Sequence, residues 1–435
     1  MAAPPLLVAA WSVLALFKPE GELGAELELR GGSAPSATGQ GAALQLRSTA
    51  TPYAEARLRS RRLTSQLRYA PRFTWQLPAV GAAWDPIVYH HVLFGHAYRV
   101  SRRLDHTVSV AVSGGELDYV GAVDELGELG EALPSVDDAA RLDLALATGL
   151  RFAFSRRQTL STDLDARYGG PSGRQAFVSA LGGDTADDVT LVAAFSTSAS
   201  VGYEVALGRA SSLSALGTVG WHSFSTGSRL LFAPASVGVT RRWGERTRTS
   251  ALLGAGYLRV WTPLATEATE ATEATDGASP FGTLGIDVIV ARRLDVEVTT
   301  RASGGYILSV DPLRGAAVTR VIGSWGLGAE LGRSWNVDAA TNFSTLVGAP
   351  STATDQPDTA AIGNTAMFGA RVSARYRISS RMRLSFGGQV DLRAGPDRTD
   401  STGEPEERFD RLIWLFVRVH ALLWASRPTR TGAIR

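Results

Sequence analysis

The sequence predicts an all-β fold: a transmembrane, antiparallel, up-and-down β-barrel of about 18 strands, with about 16 as the alternative. Three observations predict it. Apolar and polar residues alternate with a period of two through most of the chain. Each alternating stretch runs for about 10 to 16 residues, the length of a tilted membrane-crossing strand; strands of water-soluble proteins average about five or six. The stretches are joined alternately by very short, arginine-containing turns and by long polar loops.

The rhythm is clearest from Arg141 onward. Leu142, Leu144, Leu146, Leu150, Phe152 and Phe154 share one parity, while Arg141, Asp143, Ala145, Gly149 and Arg151 share the other. A strand points successive side chains to opposite faces, so one face is oily and the other small or charged. A helix would scatter the same residues around its circumference. The pattern returns in 63–76, where Leu67, Tyr69, Phe73 and Trp75 oppose Gln66, Arg68, Arg72 and Thr74. It returns again in 160–168, 191–207, 368–378 and 382–393.

Short turns fall at 60–62, 102–103, 156–157, 208–210, 242–246, 292–293, 332–334 and 379–381. Long loops fall near 31–41, 77–87, 119–140, 170–189, 223–230, 262–280, 309–317, 350–364 and 394–408. Tight periplasmic turns at one rim and long extracellular loops at the other characterise outer-membrane barrels, and both termini then lie on the short-turn side. The organisation expected is a signal or N-terminal arm over 1–20, the barrel over 21–425 and a C-terminal extension over 426–435. Met1 to Phe17 is apolar and followed by Lys18, like the hydrophobic region of an export signal. The repeat from Thr266 to Asp276 (TEATEATEATD) is acidic and reads as a solvated loop tip.

Composition narrows the function classes. A formal charge of +2 over 435 residues gives no support for nucleic-acid binding. There is no cysteine, which excludes disulfides and thiol chemistry. Lys18 is the only lysine; the other basic residues are arginine. No cofactor and no metal site is expected: the acidic loops around Asp124–Asp138 and Asp397–Glu407 lack the spacing of a calcium loop.

The parity opposite the leucines carries charge of both signs. Lumen-lining candidates are Arg68, Arg72, Arg151, Asp163, Asp165, Arg167, Glu204, Arg371, Arg375, Arg383 and Asp391. Such charges either line a watery pore and set its selectivity or pair across the lumen and fill it. At about 18 strands the diameter exceeds what side chains fill, and no part of the chain reads as a plug domain, so an open or loop-narrowed channel is expected. Catalysis is not. His90, His96 and His106 fall on the lipid parity, and no serine stands convincingly beside them in the sequence. There is also no nucleophile elbow, phosphate loop or zinc motif.

With its alternating strands, arginine turns and long loops, the stretch from about 21 to 425 resembles Gram-negative outer-membrane β-barrel proteins of the porin class. The resemblance is one of architecture and carries no residue roles. Barrels of about 18 strands include sugar porins and some exopolysaccharide secretion barrels, so it implies a channel for polar cargo, most of all saccharide. Alternatives are a structural or surface-display barrel with binding loops and, further off, a lipid-modifying enzyme. Aromatics such as Tyr69, Phe73, Trp75, Trp221, Tyr257, Trp335 and Phe386 fall on the lipid parity, as interfacial girdles do and a lumenal aromatic slide does not. The last stretch, Phe409 to Trp424, is apolar on both parities and resembles the closing strand that barrel assembly machinery reads. Implied partners are outer-membrane lipid and lipopolysaccharide, that machinery and, for an exporter, periplasmic partners.

Overall fold

The computed structural model describes residues 18–35, 42–77, 86–117, 139–171, 194–224, 227, 229–263, 272–293, 296–311, 316–346, 366–394, 398–399, 405–406 and 409–426. In chain order the strands begin with β1 (Lys18–Pro35), β2 (Ala42–Arg59), β3 (Leu63–Tyr69), β4 (Arg72–Leu77), β5 (Ile87–Arg99), β6 (Leu104–Leu117) and β7 (Ala139–Ala153). Next come β8 (Gln158–Pro171), β9 (Ala194–Ala206), β10 (Ser211–Phe224), β11 (Arg229–Trp243), β12 (Thr247–Pro263), β13 (Thr272–Arg293) and β14 (Val296–Asp311). The chain finishes with β15 (Ala316–Leu331), β16 (Trp335–Leu346), β17 (Ala366–Arg377), β18 (Met382–Ala394), the two-residue β19 (Arg398–Thr399) and β20 (Pro405–Glu406), and β21 (Phe409–Ala425).

Nineteen of these strands form one antiparallel sheet that follows chain order, with β3 and β4 each pairing with β2 and β5, β18 pairing with β21, and β1 pairing with both β2 and β21. The sheet is therefore a closed cylinder. β3 and β4 are a single stave: Ala54↔Tyr69 and Ala50↔Phe73 continue one register against β2, and Tyr69↔Val92 and Arg72↔Tyr89 continue one register against β5. Nineteen strands with one pair merged leave the expected 18. Proline explains the break. Pro71 has no amide to give the ladder, and the same register sets it opposite Pro52.

The two faces follow the sequence parity. Leu27, Leu67, Leu146, Leu164, Val201, Leu253, Leu284, Val372 and Leu415 are exposed on the outside. Lipid offers the backbone no hydrogen bond, so only a fully paired, edgeless sheet suits this apolar surface.

The tight turns are built alike. In 60–63 the Ser60 hydroxyl accepts hydrogen bonds from the amides of Arg62 (3.4 Å) and Leu63 (3.1 Å). Ser101 does the same for Arg103 and Leu104, and Ser379 for Arg381 and Met382. A hydroxyl that satisfies two amides ends one strand and starts the next with few residues. Two other turns instead start on glycine at positive φ, Gly244 (69°) and Gly332 (63°), a conformation that side chains with a Cβ resist.

Several expected loops shorten because strands extend into them, at 223–230 and 309–317 as well as in the two cases that follow. Residues 272–276 of the acidic repeat belong to β13, with Thr272↔Pro263 and Asp276↔Arg259 in register, and only 264–271 of the expected 262–280 loop lie outside the described residues. A strand of 22 residues overshoots the bilayer, and past the lipid its ladder needs no hydrophobic parity to continue. Likewise 31–35, expected in a loop, extend β1. Residues 1–17, most of the acidic loops and 427–435 lie outside the described residues.

Close approach of strands is managed by placing rings over glycines. A Cβ on Gly24 of β1 would stand 2.4 Å from the ring of Tyr53 on β2, which crosses Gly24 to reach β21. There its hydroxyl meets His420 Nε2 at 3.2 Å, with the rings stacked 5.7 Å apart. A Cβ on Gly254 would lie 2.5 Å from the ring of Phe281. Gly24→Ala should overpack this joint and lower stability by about 1–3 kcal/mol, read as an earlier urea midpoint in detergent. Ser101→Ala should cost about 1 kcal/mol, the value of the turn hydrogen bonds it removes.

Candidate functional site

The inner face is the concave one, where long side chains cross strands and become buried. The registers place all eleven predicted charged residues on it. On β3, β4 and β7, Arg68 stands opposite Glu55, Arg72 opposite Tyr89, and Arg151 opposite Asp105. On β8 and β9, Asp163 stands opposite Gly149, Asp165 opposite Ala147, Arg167 opposite Ala145, and Glu204 opposite Thr159. On β17 and β18, Arg371 stands opposite Gln389, Arg375 opposite Ser385, Arg383 opposite His420, and Asp391 opposite Gly369. Of these, Arg68, Arg72 and Arg371 meet in one recess; the rest are spread around the wall.

That recess, of about 520 Å³, lies where the two ends of the chain join, on β21, β1, β2, β3, β4 and β5, with Arg371 reaching in from β17. Its ionic core is Glu28, 8% exposed and bonded to both Arg30 and Arg418; Arg418 also reaches Glu26 at 3.1 Å. Arg68 lies over the Tyr53 ring (4.8 Å), Arg72 over Tyr89 (5.7 Å) and Arg371 over Phe416 (5.0 Å). The Tyr89 hydroxyl donates to Asp143 at 2.8 Å, and Arg141 holds the same carboxylate at 2.8–2.9 Å. Trp414 and Phe416 are nearly buried on this wall.

Sequence reasoning missed several of these groups. Tyr53 and Arg47 share the polar parity of β2, a signal that was available. Trp414 and Phe416 carried none, because β21 is apolar on both faces. A second apolar patch on the inner face, Leu230 and Leu258 with Phe232 and Val260, also departs from the expected Arg/Ser/Asp/Gly lining.

Elsewhere on the inner face, glycines stand at inward positions on β7, β9, β11 and β13: Gly149, Gly202, Gly238 and Gly285. The inward ion pair of Arg301 with Asp287 is open, with side chains 78% and 43% exposed. Beside it Ser303 and Ser324 share a 2.6 Å hydrogen bond, also exposed. Charged, exposed side chains on the inside of a closed wall require water inside that wall.

On the outer face, each of the three expected lipid-side histidines meets a hydroxyl. His90 bonds Tyr69 (2.8 Å), His106 bonds Thr148 (3.1 Å), and His96 Nδ1 lies 3.0 Å from Ser65 Oγ. The last pairing corrects the expectation that no serine stands beside them. Ser65 is 31 residues away, and only the β3–β5 register brings it across. The His96 ring also stacks on Phe94, with 6.3 Å between centroids. The Ser65–His96 contact satisfies two polar groups on an apolar surface. No three His, Asp or Glu side chains converge on a metal position among the described residues.

No family model and no curated protein matches the sequence. Solved structures do. The FrpB iron transporter from Neisseria meningitidis is similar at 7% identity and a TM-score of 0.49, over 92% of this chain and 81% of that one. The copper transporter OprC is similar at 9% and 0.43, over 93% and 80%. A bacterial polysaccharide outer membrane secretin is similar at 9% and 0.34, over 92% and 98%. At such identities nothing about cargo passes from them to this chain. Its own closure, apolar belt and unequal rims make it a multi-pass β-barrel of the outer membrane.

Glu28→Gln should be strongly destabilising. It leaves Arg30 and Arg418 without their shared carboxylate, and breaking a buried ion pair costs about 3–5 kcal/mol. Urea unfolding in detergent micelles would check this; a loss under about 1 kcal/mol would mean the cluster is wetter than its burial implies.

Proposed function

We propose that this barrel is a channel for hydrated polar cargo, with saccharide the first class to test. The observation that carries the reading is the exposed Arg301–Asp287 pair on the inner wall, two ladder positions from the 244–246 turn, which supports a mouth open to water. The eleven charged candidates then line the path, and serine, threonine and glycine between them suit solutes rich in hydroxyls. Export of polysaccharide with periplasmic partners is the sharper form of this reading, and general uptake is the plainer one. Surrounding lipid, lipopolysaccharide and the assembly machinery are the further partners proposed. In the same reading the chain is not an enzyme, and the Ser65–His96 contact is structural.

Reconstituted into planar bilayers, the protein should give discrete conductance steps, and liposomes containing it should swell in small saccharides faster than in larger ones. Ser303→Trp, which puts a large ring beside the Arg301–Asp287 pair, should shrink the steps while changing stability by less than about 0.5 kcal/mol. Absence of both conductance and swelling would favour the display barrel. Phospholipid hydrolysis that disappears in Ser65→Ala would reverse the non-enzymatic assignment.

A further inference from the structure

The geometry points to an oxyanion-binding subsite in the recess at the chain-end seam, which gives the cargo a negative charge. The inference rests on the channel reading and deepens it. Six arginines (Arg30, Arg47, Arg68, Arg72, Arg371 and Arg418) and two glutamates line the recess. Both glutamates are already engaged, Glu28 by Arg30 and Arg418, Glu26 by Arg418. Two further acids on the wall are bonded to arginines outside the lining, Glu55 to Arg57 and Asp143 to Arg141. By count, six guanidinium groups against two carboxylates, the lining is net positive.

Three of those arginines are held in place by rings. Arg68, Arg72 and Arg371 lie over Tyr53, Tyr89 and Phe416. An aromatic face helps fix a guanidinium's position beside its other partners and adds no full negative charge of its own. A fixed guanidinium has lost its freedom before a ligand arrives, and its planar fork matches carboxylate or phosphate oxygens two at a time. Thr49 and Thr51 add hydroxyls on the same wall. The volume, about 520 Å³, suits one sugar unit or small acid at a time. The ligand class is a solute bearing carboxylate or phosphate, an acidic saccharide included.

The test uses the full chain in planar bilayers, with inorganic phosphate and citrate as probes. Either anion should interrupt the current in a dose-dependent way, and the block should weaken about tenfold or more in Arg72→Gln/Arg371→Gln. Arg102→Gln, in a short turn outside the recess, should leave it unchanged. Heat-dependent gel mobility shows whether the variants are folded. Block by phosphate alone assigns phosphate-bearing cargo; block by citrate alone assigns carboxylate. An open channel that neither anion blocks, or that both block equally in wild type and the double variant, overturns the subsite and leaves the channel standing. If no current is seen, titration calorimetry in detergent decides separately. Anion binding lost in the double variant upholds the subsite while the channel reading falls; no binding removes both.

Discussion

One constraint governs this molecule: in hydrocarbon, every backbone amide and carbonyl must find its partner within the protein. The pairing of β1 with β21 is what satisfies it, since without that ladder two strand edges would face lipid. From closure follow the antiparallel order, the even number of staves and the strict division into two faces. The interruptions are placed where the constraint relaxes. Pro52 and Pro71 face each other, so that the missing amides coincide at one point of the wall instead of weakening two. The register shift at Leu23/Gly24 sits toward the short-turn rim.

Much of this was legible in the sequence because a period of two is a direct projection of strand geometry. The parity of Leu142 to Phe154, and that of Met382 to Arg393, needed no tertiary information to assign faces. The stave count was legible for the same reason, since each tight turn carries its own arginine and often its serine. Strand ends were not. Beyond the bilayer the ladder of β13 continues through threonine, glutamate and alanine, and nothing in hydrophobicity marks where it stops.

Site reading divides similarly. Parity alone puts these charges on one face of the sheet, but it cannot say which of them meet. That depends on stagger between strands far apart in sequence, as between Arg68 on β3 and Arg371 on β17. The inward Trp414 and Phe416 were hidden because their strand is apolar on both sides. The Ser65–His96 contact was hidden because its members belong to different strands. The recess at the seam gathers arginines and rings, while the wall across from it, on β11 and β12, carries the apolar patch of Leu230, Phe232, Leu258 and Val260.

The recess draws its walls from both extremities of the polypeptide. Glu28 and Tyr53 are made first, and Arg418 and His420 come near the end, 390 residues after Glu28 in the case of Arg418. None of its cross-seam contacts exists while the cylinder is still unzipped. In the proposed reading, the complete subsite, with Arg418 and Arg371 in place, exists only once the cylinder has closed.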